Sequence, residues 1–358
     1  MSIVYYVSSH GLGHAIRTAA IVNEIPISEP VILRTEVNPA ILEEEIHRPF
    51  QQEPASFDVG CVQKDSFTVD GPATLAKYQS LHQQNRDRLS NEVAFLKKHD
   101  ARVIISDSAS FPLMVAREAN VPGLAVGNFT WGDIYKPLVD ENPDYETMLR
   151  EMAEEYALAT IGIRLPLCME MSELPTTVDA PLVARQGTSL RPALAGWLDI
   201  DPDAKWCLVY LGQYPLSFDW ERLTRYAGWQ FLLLSKEAPP AKGIASVDPR
   251  RFDVPDVLAS CQVVLGKPGY GTVADCMMND VPMVFSRSTR FPEADSLAGY
   301  LHRWGRAVEI DRTTCLSGNV LPHLESVLAT TGNPLYETNG AQVVAKIIVD
   351  MSQGKMLL

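Results

Sequence analysis

The sequence lacks the usual features of a membrane, secreted or zinc-binding protein. No apolar run is long enough to span a bilayer, and no basic segment precedes an apolar stretch at the N-terminus. The six cysteines form no Cys-x-x-Cys pair and are expected to be reduced, mostly core residues, at Cys61, Cys168, Cys207, Cys261, Cys276 and Cys315. We therefore expect a cytoplasmic protein with no metal site and no membrane span.

Positive charge is also scarce. Lysine and arginine number 31 against 44 aspartate and glutamate residues, which gives a formal net charge of −13. This balance argues against nucleic acid as the main partner, because duplex binding usually needs a basic surface. An anionic small ligand stays compatible with it, since backbone N–H groups can hold a phosphate on an acidic protein. The 358 residues, 46% of them hydrophobic, are enough for two ordinary globular domains.

Short apolar runs alternate with helical patterns along both halves of the chain. In the first half, strands are predicted at residues 3–7, 31–33, 103–105 and 123–126, and helices at 15–25 and 74–99. In the second half, strands are predicted at 207–211, 230–234, 262–265 and 283–285, and helices at 255–260, 272–279 and 293–304. This alternation predicts an α/β protein with parallel sheets covered by helices.

The proline content of residues 163–196 predicts a connection between two domains. The steps Leu-Pro-Leu, Leu-Pro-Thr and Ala-Pro-Leu in this segment disfavour regular structure. We expect an N-terminal domain at 1–165, a connection at 166–196 and a C-terminal domain at 197–335. The tail 336–358 contains a helix with apolar residues on one face, which either packs locally or returns to the first domain. We expect that it returns.

The first chemical motif follows the first predicted strand. It reads Ser-Ser-His-Gly-Leu-Gly-His-Ala-Ile-Arg and contains His10, Gly13, His14 and Arg17. Ligands bind at the carboxyl ends of strands in open α/β sheets, and glycines there let the backbone approach them closely. The pattern lacks the third glycine of a dinucleotide-binding loop. His14 is a candidate general base, although a helix cap or a packed structural role also explains it.

Asp107 ends another strand of the first domain. A carboxylate there could hydrogen-bond His14 Nδ1 and fix its tautomer. It could equally cap the helix that begins at Ser110 or Phe111. The spacing alone leaves both alternatives open.

A glycine turn in the second domain runs from a strand into a helix. The segment Gly-Lys-Pro-Gly-Tyr-Gly-Thr-Val-Ala-Asp spans residues 266–275. A helix N-terminus presents free N–H groups and a partial positive charge, both of which suit a diphosphate. Lys267 could add a charge, and Asp275 lies about one turn into the helix, where ribose hydroxyls could reach it. A simple strand–helix turn with Thr272 as N-cap is the alternative.

Two acidic groups remain after these motifs. Glu293 and Asp295 follow the next strand and could accept hydrogen bonds from sugar hydroxyls, or could simply complement a helix dipole. Asp199, Asp201 and Asp203 could in principle bind a divalent cation. Their Pro-containing turn before a strand favours a solvated connection instead.

These motifs together resemble the N-terminal, glycosyltransferase-like half of plant L-arabinokinases over nearly the whole chain. The segments that carry the resemblance are residues 5–7 with 10–17, then 62–70, 128–131, 163–166 and 265–273. The last of them, Leu-Gly-Lys-Pro-Gly-Tyr-Gly-Thr-Val, is the most specific. The kinase half of that family has no counterpart here, and we find no kinase-type phosphate loop. We therefore expect no arabinokinase activity.

More broadly, the second half resembles the donor-binding half of GT-B glycosyltransferases, among them the enzyme that adds N-acetylglucosamine to lipid I. The resemblance implies the GT-B fold, with two Rossmann-like domains whose parallel sheets face a central cleft. It also implies a UDP-sugar on the glycine turn, with Asp275 where a glutamate usually binds ribose. The implied donor-binding residues are Gly13, Gly212, Gln213, Phe252, Val254, Lys267, Gly269, Tyr270, Gly271, Thr272, Asp275 and Glu293.

The same families imply a catalytic pair and an acceptor site. Their N-terminal Gly-x-Gly-His supplies a base, which matches His14. In the plant secondary-product glucosyltransferases of this fold a strand-end aspartate pairs with it, which matches Asp107. The implied reaction is inverting transfer of a sugar to an acceptor hydroxyl, without a required metal or cofactor. The residues expected at the acceptor are His10, Arg17, Asn128, Phe129 and Trp131.

Two other functions remain open at this level. A nucleotide-sugar-binding sensor or biosynthetic accessory protein would keep the fold without transferase activity. An epimerase acting on UDP-sugars would need several acidic residues around the sugar, which Glu293 and Asp295 leave open. Expected partners are the donor, an acceptor, and either a biosynthetic partner protein or a second copy of the chain.

Overall fold

The computed structural model describes residues 1–65, 67–211, 217–234, 241–288 and 291–355. The chain forms two compact units. The first comprises Met1–Gln63, Val69–Val183 and Tyr336–Leu358, and the second comprises Lys64–Thr68 and Ala184–Leu335. None of the helices in the described ranges is long and apolar enough to cross a membrane.

The first unit is built on a parallel sheet of seven strands. In chain order the strands are β1 (Ser2–Val7), β2 (Val31–Arg34), β3 (Gln51–Glu53), β6 (Ala101–Asp107), β7 (Gly123–Gly127), β8 (Ile161–Arg164) and β9 (Thr177–Asp179), with the short pair β4 (Gln63–Asp65) and β5 (Thr68–Val69) between β3 and β6. Their order across the sheet is β3-β2-β1-β6-β7-β8-β9. The central strands are apolar and buried on both faces, as parallel strands covered by helices must be.

Helices cover the first sheet and alternate with its strands. They are α1 (Leu12–Asn23), α2 (Pro39–Glu45), α3 (Gly71–Asp87), α4 (Leu89–Lys98), α5 (Phe111–Ala119), α6 (Trp131–Asp140), a 3₁₀ turn at Pro143–Tyr145, and α7 (Glu146–Tyr156). The single helix predicted at 74–99 is divided at Arg88. Its guanidinium lies 4.4 Å from the Phe57 ring centroid, and its Nε donates to Asn85 Oδ1 at 3.1 Å. Arg88 has φ −96° and ψ 3°, outside helical geometry, and its contact with the distant Phe57 accompanies this break.

The second unit contains a parallel sheet of six strands. The strands are β10 (Lys205–Tyr210), β11 (Trp229–Leu234), β12 (Ile244–Val247), β13 (Val263–Gly266), β14 (Met283–Phe285) and β15 (Ala307–Glu309), in the order β12-β11-β10-β13-β14-β15. Its helices are α8 (Arg191–Leu198), α9 (Trp220–Leu223), α10 (Val254–Ala259), α11 (Tyr270–Met278), α12 (Pro292–Trp304), α13 (Arg312–Leu316) and α14 (Leu321–Leu328). The predicted α/β class and parallel sheets are confirmed.

The segment 166–196 is more regular than a simple connection. It contributes edge strand β9 to the first sheet and the start of α8 to the second unit, and the units divide between Val183 and Ala184. Its prolines lie outside β9, so they did not prevent this edge strand from pairing. The C-terminal helix α15 (Gly340–Ser352) lies in the first unit, where it packs on α1 and β6.

Candidate functional site

The site in the first unit begins at the turn between β1 and α1. Gly11 occupies the N-cap position with φ 90°, a left-handed geometry that favours glycine. This turn places His14 in the first turn of α1. Strands β1 and β6 are neighbours, and Val7 pairs with Asp107. The ends of two adjacent parallel strands therefore bring His14 and Asp107 to the same edge of the sheet.

His14 and Asp107 form a hydrogen-bonded pair. His14 Nδ1 lies 2.7 Å from Asp107 Oδ1, and both side chains are buried. Asp107 does not cap α5, where Ser110 occupies the N-cap position. Burial by itself would raise the pKa of Asp107, but the charges and hydrogen bonds of Arg17 and His14 hold it below its ordinary value. The carboxylate stays ionised and can orient the imidazole.

Arg17 and Asn128 lie behind this pair rather than on an acceptor surface. Arg17 is 4% exposed and Asn128 is fully buried. The Arg17 guanidinium donates from Nε to Asp107 Oδ2 at 2.8 Å and from Nη1 to Asn128 Oδ1 at 2.5 Å. The acceptor-binding role predicted for these two residues does not fit this geometry, because their polar atoms are used in supporting Asp107.

Aromatic residues pack against His14. The capping box of Thr130 and Asp133 starts α6 and places Trp131 in its first turn. The ring centroids of Phe129 and Trp131 lie 5.8 Å and 6.2 Å from that of His14. Both aromatic side chains are buried. They therefore pack against the imidazole and do not form an open acceptor surface.

His10 is half-buried and also held in place. Its Nε2 accepts a hydrogen bond from the Cys61 backbone N–H at 3.1 Å. A Cβ added at Gly60, whose φ is +57°, would lie 1.8 Å from His10 Cγ. The ring therefore packs directly on the Gly60 backbone, and only glycine leaves room for it.

Asp58 is a further charged residue near His14 that was not predicted from the sequence. This buried carboxylate accepts from Ser8 Oγ and from Trp131 Nε1, each at 3.0 Å. Burial raises its pKa, and the positive charge that His14 would carry opposes that shift. Asp58 follows no periodic pattern in the sequence, so only the fold reveals its position.

The site in the second unit is the turn between β13 and α11. Helix α11 begins at Tyr270 with Gly269 as N-cap, so Thr272 lies inside the first turn and does not cap the helix. A Cβ added at Gly269 or Gly271 would meet no described atom within 4 Å. Among the described residues, the two glycines therefore have open space where a side chain would lie, and a helix N-terminus of this kind suits a phosphate.

Charged side chains flank this turn. Lys267 directly follows β13, and Glu293 lies buried in the first turn of α12. Burial lowers the pKa of the Lys267 ammonium, while the carboxylates of Glu293 and Asp65 counteract part of that shift. Asp295, by contrast, is exposed and pairs with Arg287 at 2.8 Å.

The aspartates at residues 199–203 lie in a separate turn before β10, as predicted. There the Asp203 N–H donates to Asp201 Oδ1 at 2.8 Å.

Asp275 has a structural partner that the sequence did not reveal. Its Oδ1 accepts from the Arg185 backbone N–H at 2.9 Å, and its Oδ2 accepts from Arg185 Nη2 at 2.7 Å. Asp275 is 3% exposed. Both carboxylate oxygens are thus engaged within the unit, which does not fit the ribose-binding role predicted for it.

The remaining predicted donor residues are distributed around this unit and the first one. Phe252 and Val254 are half-buried at the start of α10, and Gly13 lies in α1. Gly212 and Gln213 lie outside the described residues. The structure therefore brings Lys267, Gly269, Tyr270, Gly271, Thr272 and Glu293 to one edge of the second sheet.

Comparisons with known proteins agree with this architecture. The chain is 29% identical to L-arabinokinase of Arabidopsis thaliana over 361 residues, which covers 98% of this chain and 34% of that protein. The chain thus spans about a third of the length of this relative. No protein-family model matches the sequence.

Several solved glycosyltransferases share the fold. The spinosyn rhamnosyltransferase SpnG superposes with a TM-score of 0.63 at 13% identity, covering 99% of this chain and 96% of its own. The calicheamicin glycosyltransferase CalG4 gives 0.62 at 14% identity, covering 99% and 94%. Phytolacca americana UGT2, solved with UDP-2-fluoro-glucose and pterostilbene, gives 0.61 at 13% identity, covering 99% and 94%. The chain has the GT-B fold, and its sequence is similar to a segment of L-arabinokinase.

Proposed function

We propose that this protein transfers a sugar from a UDP-sugar to an acceptor hydroxyl, with inversion and without a required metal. The observation that carries the proposal is the buried His14–Asp107 pair at the strand ends of the first unit. Further support comes from the open glycine turn of the second unit and from the glycosyltransferases that share the fold. The free cysteines agree with a reducing location, and we place the protein in the cytoplasm.

The proposed reaction is a single displacement. His14 Nε2 takes the proton of the acceptor hydroxyl while the acceptor oxygen forms a bond to the anomeric carbon. The bond between that carbon and the diphosphate oxygen breaks, and UDP leaves with the electron pair. Attack opposite the leaving group inverts the anomeric centre. Asp107 holds His14 in the tautomer whose Nε2 lone pair is available.

The second unit stabilises the leaving group in this proposal. Charge develops on the diphosphate as the bond breaks, and the N–H groups at the start of α11 face the space where it would lie. Lys267 adds a positive charge at the same turn. We assign uridine as the base of the donor from the resemblance, and a thymidine nucleotide is the alternative to test, because the related VinC was solved with dTDP.

A glycine substitution tests the donor site directly. Gly271→Ala adds a methyl group that meets no described protein atom within 4 Å, inside a helix where alanine is favoured over glycine by about 1 kcal/mol. We expect the variant to be at least as stable as the wild type and to bind UDP on the order of tenfold more weakly. Calorimetric titration with UDP, UDP-sugars and dTDP measures both nucleotide preference and affinity.

Gly196→Ala is the matched control for this experiment. Gly196 also lies within a helix of the second unit, α8, and a Cβ there likewise meets no atom of the described residues within 4 Å. It should gain stability without losing affinity. Unchanged UDP binding in Gly271→Ala, or no binding of any uridine or thymidine nucleotide by the wild type, would contradict the proposed donor site.

A nucleotide-sugar-binding sensor or accessory protein is the second candidate. It is favoured by the engagement of Asp275 with Arg185, which removes the expected ribose-binding carboxylate. Such a protein would bind UDP-sugars without releasing UDP in the presence of acceptors. Such a protein would then act by binding a partner protein or a second copy of the chain.

A further inference from the structure

Arg17 occupies an unusual place beside the His14–Asp107 pair. It lies one helical turn after His14 on α1, so both side chains point to the same strand end. Its Nε donates to Asp107 Oδ2 at 2.8 Å, and its Nη2 donates to Asp107 Oδ1. Its Nη2 also lies 3.0 Å from His14 Nδ1. The guanidinium thus contacts both members of the pair at once.

The surrounding structure fixes this guanidinium firmly. Nη1 donates to Asn128 Oδ1 at 2.5 Å, and Nη2 donates to Ser108 Oγ at 3.1 Å. Ser108 has φ 71°, which is uncommon for a residue other than glycine. Its carbonyl accepts from Tyr156 Oη, so contacts on both sides hold it in this geometry.

The hydrogen bonds assign the tautomer of His14. Asp107 is ionised, since the charge of Arg17 and the hydrogen bonds from Arg17 and His14 lower its pKa against the effect of burial. An ionised carboxylate oxygen 2.7 Å from Nδ1 requires a proton on that nitrogen. Arg17 Nη2 therefore cannot donate to Nδ1 and acts on it as a nearby positive charge. In neutral His14 the lone pair is left on Nε2.

The charges that face His14 come from three elements. Arg17 is on α1, Asp107 is at the end of β6, and Asp58 lies in the segment after β3. Among the described residues, the uncharged rings of Phe129 and Trp131 also pack against His14. Arg17 compensates the charge of Asp107, which would otherwise favour the imidazolium form most strongly.

We propose that Arg17 is a positioning residue that offsets the charge of Asp107 beside His14 and so holds the His14 Nε2 lone pair ready for the acceptor. Arg17 contacts no reacting atom in this proposal and acts through Asp107 and His14. The inference rests on the proposed function for its biological meaning. Its physical content, the tautomer and protonation of His14, can be measured without any turnover.

The test follows the histidine side chains of the full-length protein by ¹⁵N NMR between about pH 5 and 9. The chain has seven histidines, and His14→Gln assigns the His14 signals by their loss. In the wild type we expect the Nδ1–H tautomer. In Arg17→Met the protonation midpoint of His14 should move up by about 1 pH unit or more, because a compensating cation is lost.

A second variant is used in case Arg17→Met does not fold, because that substitution leaves Asp107 buried without its positively charged partner. Arg17→Met/Asp107→Asn removes both charges while the asparagine oxygen can still accept from Nδ1. Its His14 midpoint should return to within a few tenths of a pH unit of the wild type, and Arg17→Lys should also stay close to it. An Nε2–H tautomer in the wild type would overturn the proposal. So would an unchanged midpoint in folded Arg17→Met, or a raised midpoint in the double variant.

Activity then separates this inference from the proposed function. If the protein releases UDP with an acceptor, the acidic limb of its pH–rate profile should move upward in Arg17→Met by the same amount as the NMR midpoint. A uniform loss of rate with an unmoved limb would indicate a merely structural role and contradict the inference. If no turnover is found with any donor, the proposed function fails while the NMR result still decides the role of Arg17.

Discussion

Two carboxylates near His14 differ in their charge environment. Asp107 accepts from Arg17, His14 and Thr18, and the charges of Arg17 and His14 lower its pKa despite burial. Asp58 accepts hydrogen bonds from the uncharged groups of Ser8 and Trp131, and burial raises its pKa. The guanidinium therefore decides which carboxylate is the stable anion beside His14.

This difference predicts an effect of Asp58 on stability with pH. Because its folded pKa is raised, the folded protein keeps a proton that the unfolded chain has released above about pH 3.9. Stability is therefore lost as pH rises from that value through the folded pKa. Asp58→Asn can still accept from Trp131 and donate to Ser8. We therefore expect it to be more stable than the wild type at pH 7, with a smaller gain in stability at pH 5.

Denaturant unfolding at both pH values measures this prediction. Asp144→Asn, at an exposed aspartate of the same unit, is the control and should leave stability unchanged at both. A lower stability of Asp58→Asn at pH 7, with the same difference at pH 5, would show that the charge of Asp58 is not what matters.

Helix starts and strand ends are the elements that could be predicted from the sequence. Buried parallel strands are short apolar runs, and the residues directly after them meet at one sheet edge, so topology allowed Asp107 to approach His14. The choice between this pairing and a helix cap came from the family resemblance. The glycine turn before α11 followed in the same way. The division at Arg88 and the position of Asp58 could not be predicted, because distant contacts determine both.

The structural role of residues 62–70 also could not be predicted from local sequence patterns. Its resemblance to the arabinokinase family had no physical explanation in the sequence. In the structure Phe67 is fully buried in the core of the second unit, and Arg312 Nη2 donates to Asp65 Oδ2 at 3.1 Å. The contact partner is more than two hundred residues away along the chain, so local patterns carry no sign of it.

A further prediction concerns Asp275, which joins α11 to the segment at Arg185. Its carboxylate supports Arg185 within the second unit, so Asp275→Ala leaves a largely buried guanidinium and a backbone N–H without their partner. We expect it to lower the free energy of unfolding by about 3–5 kcal/mol. UDP affinity at a temperature where the variant is folded should change by less than about threefold, since the carboxylate does not face the ligand in this account.

Denaturant unfolding and calorimetry measure the two effects separately. Asp295→Ala is the matched control, because it also removes an aspartate–arginine pair of the second unit, but an exposed one. It should cost less than about 1 kcal/mol. A stable Asp275→Ala protein that loses UDP binding would restore the ribose-binding role instead.

At the scale of the whole molecule, the fold and the chemistry rest on different observations. The GT-B fold follows from two parallel sheets and from superposition on glycosyltransferases that are 13–14% identical. A fold hosts many functions, so the activity must be argued from the residues of each unit. In the proposed function, His14 of the first unit, hydrogen-bonded to Asp107, is the base, and the start of α11 in the second unit holds the diphosphate.

The most direct measurement is UDP release from a panel of UDP-sugars and hydroxyl acceptors, compared between wild type, His14→Ala and His47→Ala. His47 is an exposed histidine of the same unit and serves as the control. We expect acceptor-dependent UDP release by the wild type and His47→Ala, and a loss of at least about 100-fold in His14→Ala. Equal turnover in His14→Ala, or UDP binding without release under every combination, would contradict it.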